Sequence, residues 1–209
     1  MSKSRLEAFS DGIFAIAITL LVLTVAQPGN YHHLANQLAD RWPGFAAYVV
    51  SFAVIGIMWL NHHSIFSHFA HIDRGLVLLN LLLLLTIAFL PYPTGIFGQA
   101  LREGSGTEVA AVFYSATMAV NAFAWSALWL YASARRRLLV DSFPESQRRM
   151  ATISFTIGTF AYVLAVGVAF VSPVSSLVIQ AVFAVYYALD PVGRQVAKSS
   201  AATEPVERA

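Results

Sequence analysis

Arg5-Leu6-Glu7-Ala8-Phe9-Ser10-Asp11-Gly12-Ile13-Phe14-Ala15-Ile16-Ala17-Ile18-Thr19-Leu20-Leu21-Val22-Leu23 is the stretch that decides the fold class. From Ala8 to Ala26 its side chains are apolar except at Ser10, Asp11, Thr19 and Thr24. As a helix rising about 1.5 Å per residue, a run of this length crosses the hydrocarbon layer of a bilayer, which takes about 20 residues. A signal peptide has an apolar core of only about 7–15 residues and a small-residue cleavage site. This run is longer, carries Asp11 near its start and ends in Gln27-Pro28-Gly29, so it reads as a retained membrane span.

The rest of the chain repeats the pattern. Of 209 residues, 57% are hydrophobic and 11% charged, against about 45–50% and about 25% in soluble domains. The mean hydropathy is +0.64. A soluble globular domain is thereby excluded. The absence of cysteine removes disulfide frameworks, thiolate metal sites and Cys nucleophiles. Apolar stretches of spanning length predict an all-α integral membrane protein with six helices, at about 7–26, 45–67, 75–98, 109–133, 150–172 and 174–189. Residues 1–192 are expected to form one transmembrane domain, followed by a polar, disordered cytoplasmic tail over 193–209. Pro91 and Pro93 are expected to interrupt the third span only near its outer end.

The formal charge of +2 and the pI near 9.0 reflect topology rather than nucleic-acid binding. With the N-terminus cytoplasmic, Lys3, Arg5, Arg74, Arg135 to Arg137, Arg148, Arg149, Arg194, Lys198 and Arg208 all fall inside, leaving only Arg41 and Arg102 outside. That asymmetry predicts cytoplasmic termini and a multi-pass protein of the cell's inner membrane. The triple Arg after Trp125, Trp129 and Tyr131 reads as a topological anchor.

Ionisable and polar groups inside spans are costly and mark candidate sites. Asp11 in the first helix, His62 and His63 in the second and Asn80 in the third fall at one depth in the inner third, with Arg5 and Ser10 nearby. Trp59, His62, His63 and Phe66 follow i, i+3, i+4, i+7 spacing, one face of a helix. Each His reads as a structural hydrogen-bonder, a proton sensor or a metal ligand. The metal reading fails for a di-iron site, since six histidines, two of them in an outer loop, offer no converging boxes and no intramembrane Glu. No phosphate loop, nucleophile elbow or HExxH motif occurs, so no enzyme and no cofactor are expected. On the first helix, Gly12, Ile16, Thr19, Leu20 and Leu23 form a stripe away from Asp11. It is either a packing or lipid face, with Thr19 bonding back to its own backbone, or a pore lining.

The R-x-x-x-F-S-D motif of Arg5, Phe9, Ser10 and Asp11, continued by Gly12 to Leu23, closely resembles the opening helix of the TMEM175 family of potassium channels in its bacterial branch. Trp59-Leu60-Asn61-His62-His63-Ser64-Ile65-Phe66 and Phe89-Leu90-Pro91-Tyr92-Pro93-Thr94 extend the similarity over the first half of the chain. The resemblance implies a homotetramer whose first helices line a central pore, narrowest at Ile16, with Thr19 as a second layer and Leu23 a turn beyond. It also implies a structural network of Arg5, Phe9, Ser10, Asp11, Trp59, His62, His63 and Asn80. The expected activity is a weakly to moderately K-selective cation channel, with K+ near Thr19 and Na+, Cs+ or Rb+ as further permeants. Its expected partners are further copies of itself, the lipid bilayer and monovalent cations, with no nucleic acid. The alternative is a proton-coupled secondary transporter using Asp11 with His62 and His63.

Overall fold

A span whose one side faces hydrocarbon must bury its other side against neighbouring helices, and the first span does this with a regular seam. The computed structural model describes residues 2–28, 31–141 and 143–188. Helix α1 (Lys3–Leu20) continues into a 3-10 turn, Leu21–Thr24. Its buried residues, Leu6, Ser10, Phe14, Ala17 and Leu21, recur every three or four positions. That spacing is one face of a helix. A short α2 (Leu34–Ala39) with no buried residue leads into α3 (Trp42–Ser67). Then come α4 (Arg74–Phe89), α5 (Pro91–Glu103), α6 (Thr107–Ala134), α7 (Glu145–Ala169) and α8 (Pro173–Ala188). Five segments are long and apolar enough to cross a membrane, with Arg74–Glu103 counting as one and α8 as a shorter apolar helix. Helices therefore occupy all six predicted regions, while the tail from 193 lies outside the described residues.

The third span departs from expectation. Its interruption falls at Leu90, midway through Arg74–Glu103, rather than near an outer end, and helix resumes for another 13 residues. Pro91 has no N–H to give Ile87, so a continuous helix would orphan that carbonyl. Here the Leu90 N–H takes it instead, at 3.1 Å, and Thr94 covers the Leu90 carbonyl with both its N–H and its hydroxyl. These local bonds to the Ile87 and Leu90 carbonyls support the break inside the span. Gly104 and Gly106, at φ of +65° and +68°, then turn the chain tightly into α6.

Helix α6 is the spine of the bundle, packed against α4, α5, α7 and α8. Alanine and serine at positions such as Ala111, Ser115, Ala119, Ala122 and Ser126 keep its surface narrow, so neighbours approach closely. Helix α1 sits at the margin, against α3 and α4. One end of the bundle gathers the basic residues. There Lys3 Nζ donates to the Phe69 carbonyl at 2.9 Å. Phe69 also bridges Leu139 across the α3–α4 and α6–α7 connections. Asp73 caps α4 by accepting the Leu76 N–H and also holds the Tyr131 hydroxyl and Arg137. The Leu76 bond first, then these partners, holds the Asp73 carboxyl below the usual carboxylate range. At the opposite end Arg41 is buried, donating to the carbonyls of Ala26, Gln37 and Gln27 at 2.9, 2.6 and 3.0 Å. Its charge thus fastens the exit of α1 to the start of α3.

The α3–α5 contact depends on bare backbone. A Cβ at Gly98 would lie 3.1 Å from the Gly44 Cα, which cannot swing aside, whereas one at Gly56 meets nothing within 4 Å. Gly98→Leu is expected to destabilise the fold by about 1–3 kcal/mol. Thermal unfolding in detergent should show a lower midpoint for Gly98→Leu and an unchanged or raised one for Gly56→Ala.

Candidate functional site

Three elements meet at Asn80. Its side chain is fully buried on α4, where α4 packs on α1, and α3 brings His62 to the same point. The His62 Nε2–H donates to Asn80 Oδ1 at 2.9 Å, the Asn80 amide donates to Ser10 Oγ at 3.0 Å, and Ser10 Oγ donates to the Leu6 carbonyl at 2.9 Å. Each donor finds an acceptor, and the chain ends on backbone. Ending on a backbone carbonyl, this line locks the helices together. Around it, His62 stacks on Phe66 at 4.1 Å and meets the edges of Phe14 and Trp125 at 5.4 and 6.1 Å. Helices α1, α3, α4 and α6 are thereby tied at one level.

Asp11 takes a separate partner. Its carboxylate accepts the Trp59 indole N–H at 2.8 Å, and both residues are exposed. His63 is exposed too, with its ring 6.5 Å from that of Trp59. Arg5 and Phe9 lie on the bare side of α1 and, among the described residues, show no side-chain hydrogen bond or ion pair within the subunit. The eight residues expected in one network therefore divide. Ser10, His62 and Asn80 form a buried lock, Asp11 and Trp59 an exposed pair beside His63, and Arg5 and Phe9 face outward. Trp59, though one helical turn from His62, is 40% exposed.

The stripe on α1 is uncovered. Ile16 is 59% and Leu23 74% exposed, and Gly12, Thr19 and Leu20 are exposed with them. Ile13 and Ile18 turn inward and pack against the core. The Thr19 hydroxyl donates to the Ile16 carbonyl at 2.9 Å, three residues back. Its hydrogen is thus committed to the backbone, which leaves the oxygen lone pairs on the open side.

Several intramembrane polar pairs escaped sequence reasoning because a lone polar residue does not name its partner. Asn121 donates to Thr86 at 2.7 Å, joining α6 to α4. Ser126 pairs with Thr159 at 2.7 Å, and the Ser115 and Ser176 hydroxyls lie 2.9 Å apart with the Gln180 amide donating to Ser115. Gly158 lines a cleft between α3 and α7. No group of three or more His, Asp or Glu side chains able to hold a metal ion occurs among the described residues.

An all-helical, apolar bundle with a broken third span and an uncovered first helix has the fold of a membrane channel subunit. The family described as the endosomal/lysosomal potassium channel TMEM175 matches residues 5–91. A potassium channel of Streptomyces collinus is 44% identical over 196 residues, covering 91% of this chain and 93% of that protein. One from Chamaesiphon minutus is 36% identical over 189 residues, covering 88% and 93%. The crystal structure of a lysosomal potassium-selective channel TMEM175 homolog from Chamaesiphon minutus superposes with a TM-score of 0.80 at 34% identity, covering 90% of this chain and 97% of that one. The chain belongs to the TMEM175 family.

Removing the middle of the buried lock should be worse than removing its exposed neighbour. Asn80→Leu orphans the His62 N–H, at about 1–3 kcal/mol for a buried group left unpaired. The unfolding midpoint in detergent should fall clearly for Asn80→Leu and by less for Trp59→Phe, whose partner Asp11 stays accessible.

Proposed function

We propose that the protein is a potassium-permeable, weakly to moderately selective cation channel, assembled as a homotetramer with α1 of each subunit lining a central pore. The carrying observation is the bare stripe of Gly12, Ile16, Thr19, Leu20 and Leu23 on a span whose other face is buried. One such stripe cannot enclose a path, so identical copies supply the rest. Exposed Arg5 and exposed Asp11, opposite charges on one marginal helix, also favour self-association. The names of the Streptomyces and Chamaesiphon relatives point to potassium, the ion for which this reading is made.

The mechanism follows from what each position offers an ion. A ring of Ile16 side chains gives no ligand and little room for water, so a closed ring is a barrier and the narrowest point. Thr19, one turn along, presents hydroxyl oxygens whose hydrogens are already committed to the Ile16 carbonyl. Those oxygens replace part of the hydration of K+, whose shell is looser than that of Na+, and Leu23 closes the neck beyond. Without a carbonyl cage, discrimination stays modest. No enzymatic step, cofactor or resident metal is part of this reading. The basic end of the bundle faces the cytoplasm, with both termini there, in the inner membrane of a bacterial cell. Residues 1–192 act as the channel unit, with 193–209 a cytoplasmic tail.

The experiments follow from the stripe. Ile16→Ala or Ile16→Asn should raise single-channel current and weaken discrimination among cations, while the same changes at Ile13 and Ile18 should do neither. Equal effects at Ile13 and Ile16 would remove the pore assignment. Thr19→Val, which nearly keeps the volume and deletes the oxygen, should lower the permeability of potassium relative to sodium in a bilayer recording, and an unchanged ratio would leave Thr19 with only its backbone bond. Asp11→Ala should reduce the tetramer fraction in detergent, seen by light scattering. If it assembles normally and loses only conductance, a carrier mechanism gains instead.

A further inference from the structure

Helix α3 packs mainly on α5, α1 and α8, and α7 on α6 and α8, so α3 and α7 stand apart over α6. The gap is a shallow, partly open cleft. Its walls include Ile57, Asn61 and Ser64 from α3, Trp125 from α6, and Phe155 and Gly158 from α7. No charged residue or histidine lines it. Two of its polar side chains are already satisfied from within, Asn121 by Thr86 and Thr159 by Ser126 and the Ala122 carbonyl. Asn61 and Ser64 are different. They sit one turn apart on the same face of α3, half-buried, and neither side chain has a hydrogen-bond partner among the described residues. Asn61 lies six residues before the end of α3 at Ser67, about 9 Å into the helix. An amide in an apolar cleft with nothing to bond is unfavourable.

We propose that the α3–α6–α7 cleft is a binding site for an uncharged membrane amphiphile, whose apolar chain fills the cleft and whose hydroxyl or carbonyl is held by Asn61 and Ser64. The uncharged lining excludes an ionic head, because no counter-charge would meet it. The apolar walls exclude a purely polar solute, and the lining residues of α3, α6 and α7 lie inside segments long and apolar enough to cross a membrane, where lipid-soluble molecules are concentrated. Gly158, with no side chain, keeps the α7 wall of the cleft low, so a chain can lie along it. This site is on the face of α3 away from α1, so it is separate from the bare stripe, and its occupancy does not depend on whether the protein conducts ions.

The test uses hexadecanol carrying a photoreactive diazirine on its chain, added to the full-length protein in lipid nanodiscs, with labelled peptides mapped by mass spectrometry. Labelling is expected at the α3 segment around Asn61 and the α7 segment around Gly158, and excess unlabelled hexadecanol should displace it. Asn61→Leu should weaken this labelling about five-fold, the loss of one hydrogen bond of about 1 kcal/mol. Gly158→Leu, which fills the cleft without touching the polar groups, should abolish it. Both variants are first checked for native assembly, and Ser64→Ala serves where either fails, with an expected loss of the same size as for Asn61. Labelling spread evenly over outward residues such as Val49 and Phe160, or labelling unchanged in every folded variant, would overturn the proposal. So would a cross-link from Asn61 to a second copy of the chain in place of the alcohol.

Discussion

The hydrogen-bond line from His62 through Asn80 to Ser10 and the Leu6 carbonyl is the interaction on which the arrangement depends. In hydrocarbon, packing of apolar side chains barely distinguishes one rotation of a helix from another, because lipid tails are as apolar as leucine. A directional polar contact does distinguish them. Ser10 must face α4, so Leu6, Phe14, Ala17 and Leu21 face the bundle with it, and Gly12, Ile16, Thr19 and Leu23 are turned out. One residue of slip would rotate the stripe by about 100° and bring other side chains to the open side. The lock near one end of α1 and the Arg41 clamp at the other fix both rotation and height.

The first half of the chain was legible because its signals are local. Length and apolarity place the spans, and helical spacing on α1 places the stripe that the structure leaves bare. Depth arithmetic brings His62, Asn80 and Ser10 together. What it could not resolve was azimuth. Trp59 and His62 are one turn apart, yet one meets an exposed carboxylate and the other lies among Phe14, Phe66 and Trp125. Three helices converge there, and the angle between them decides which side chain is enclosed. Phe9 enters the network by motif alone and Arg5 by depth and motif, and within one subunit both face away from it.

The second half was less legible for a different reason. Asn121, Ser126 and Gln180 announce themselves as polar groups in apolar helices, but Thr86, Thr159 and Ser115 are indistinguishable in sequence from any other hydroxyl residue. The kink at Leu90 illustrates the same limit. Proline marks where a helix breaks, whereas the local rescue of Ile87 and Leu90 by Leu90 and Thr94 decides that helix continues to Glu103.

Whether α1 lines the ion path is directly measurable, because the sequence contains no native cysteine. Cysteines placed singly at Ile13, Ile16, Ile18, Thr19 and Leu23 can be exposed to a small, charged thiol reagent during recording of potassium current. A pore lined by α1 gives rapid block at Ile16→Cys, Thr19→Cys and Leu23→Cys, slowed by permeating potassium, and no block at Ile13→Cys or Ile18→Cys. Block at the inward positions, or persistent current after modification at all three stripe positions, would contradict it.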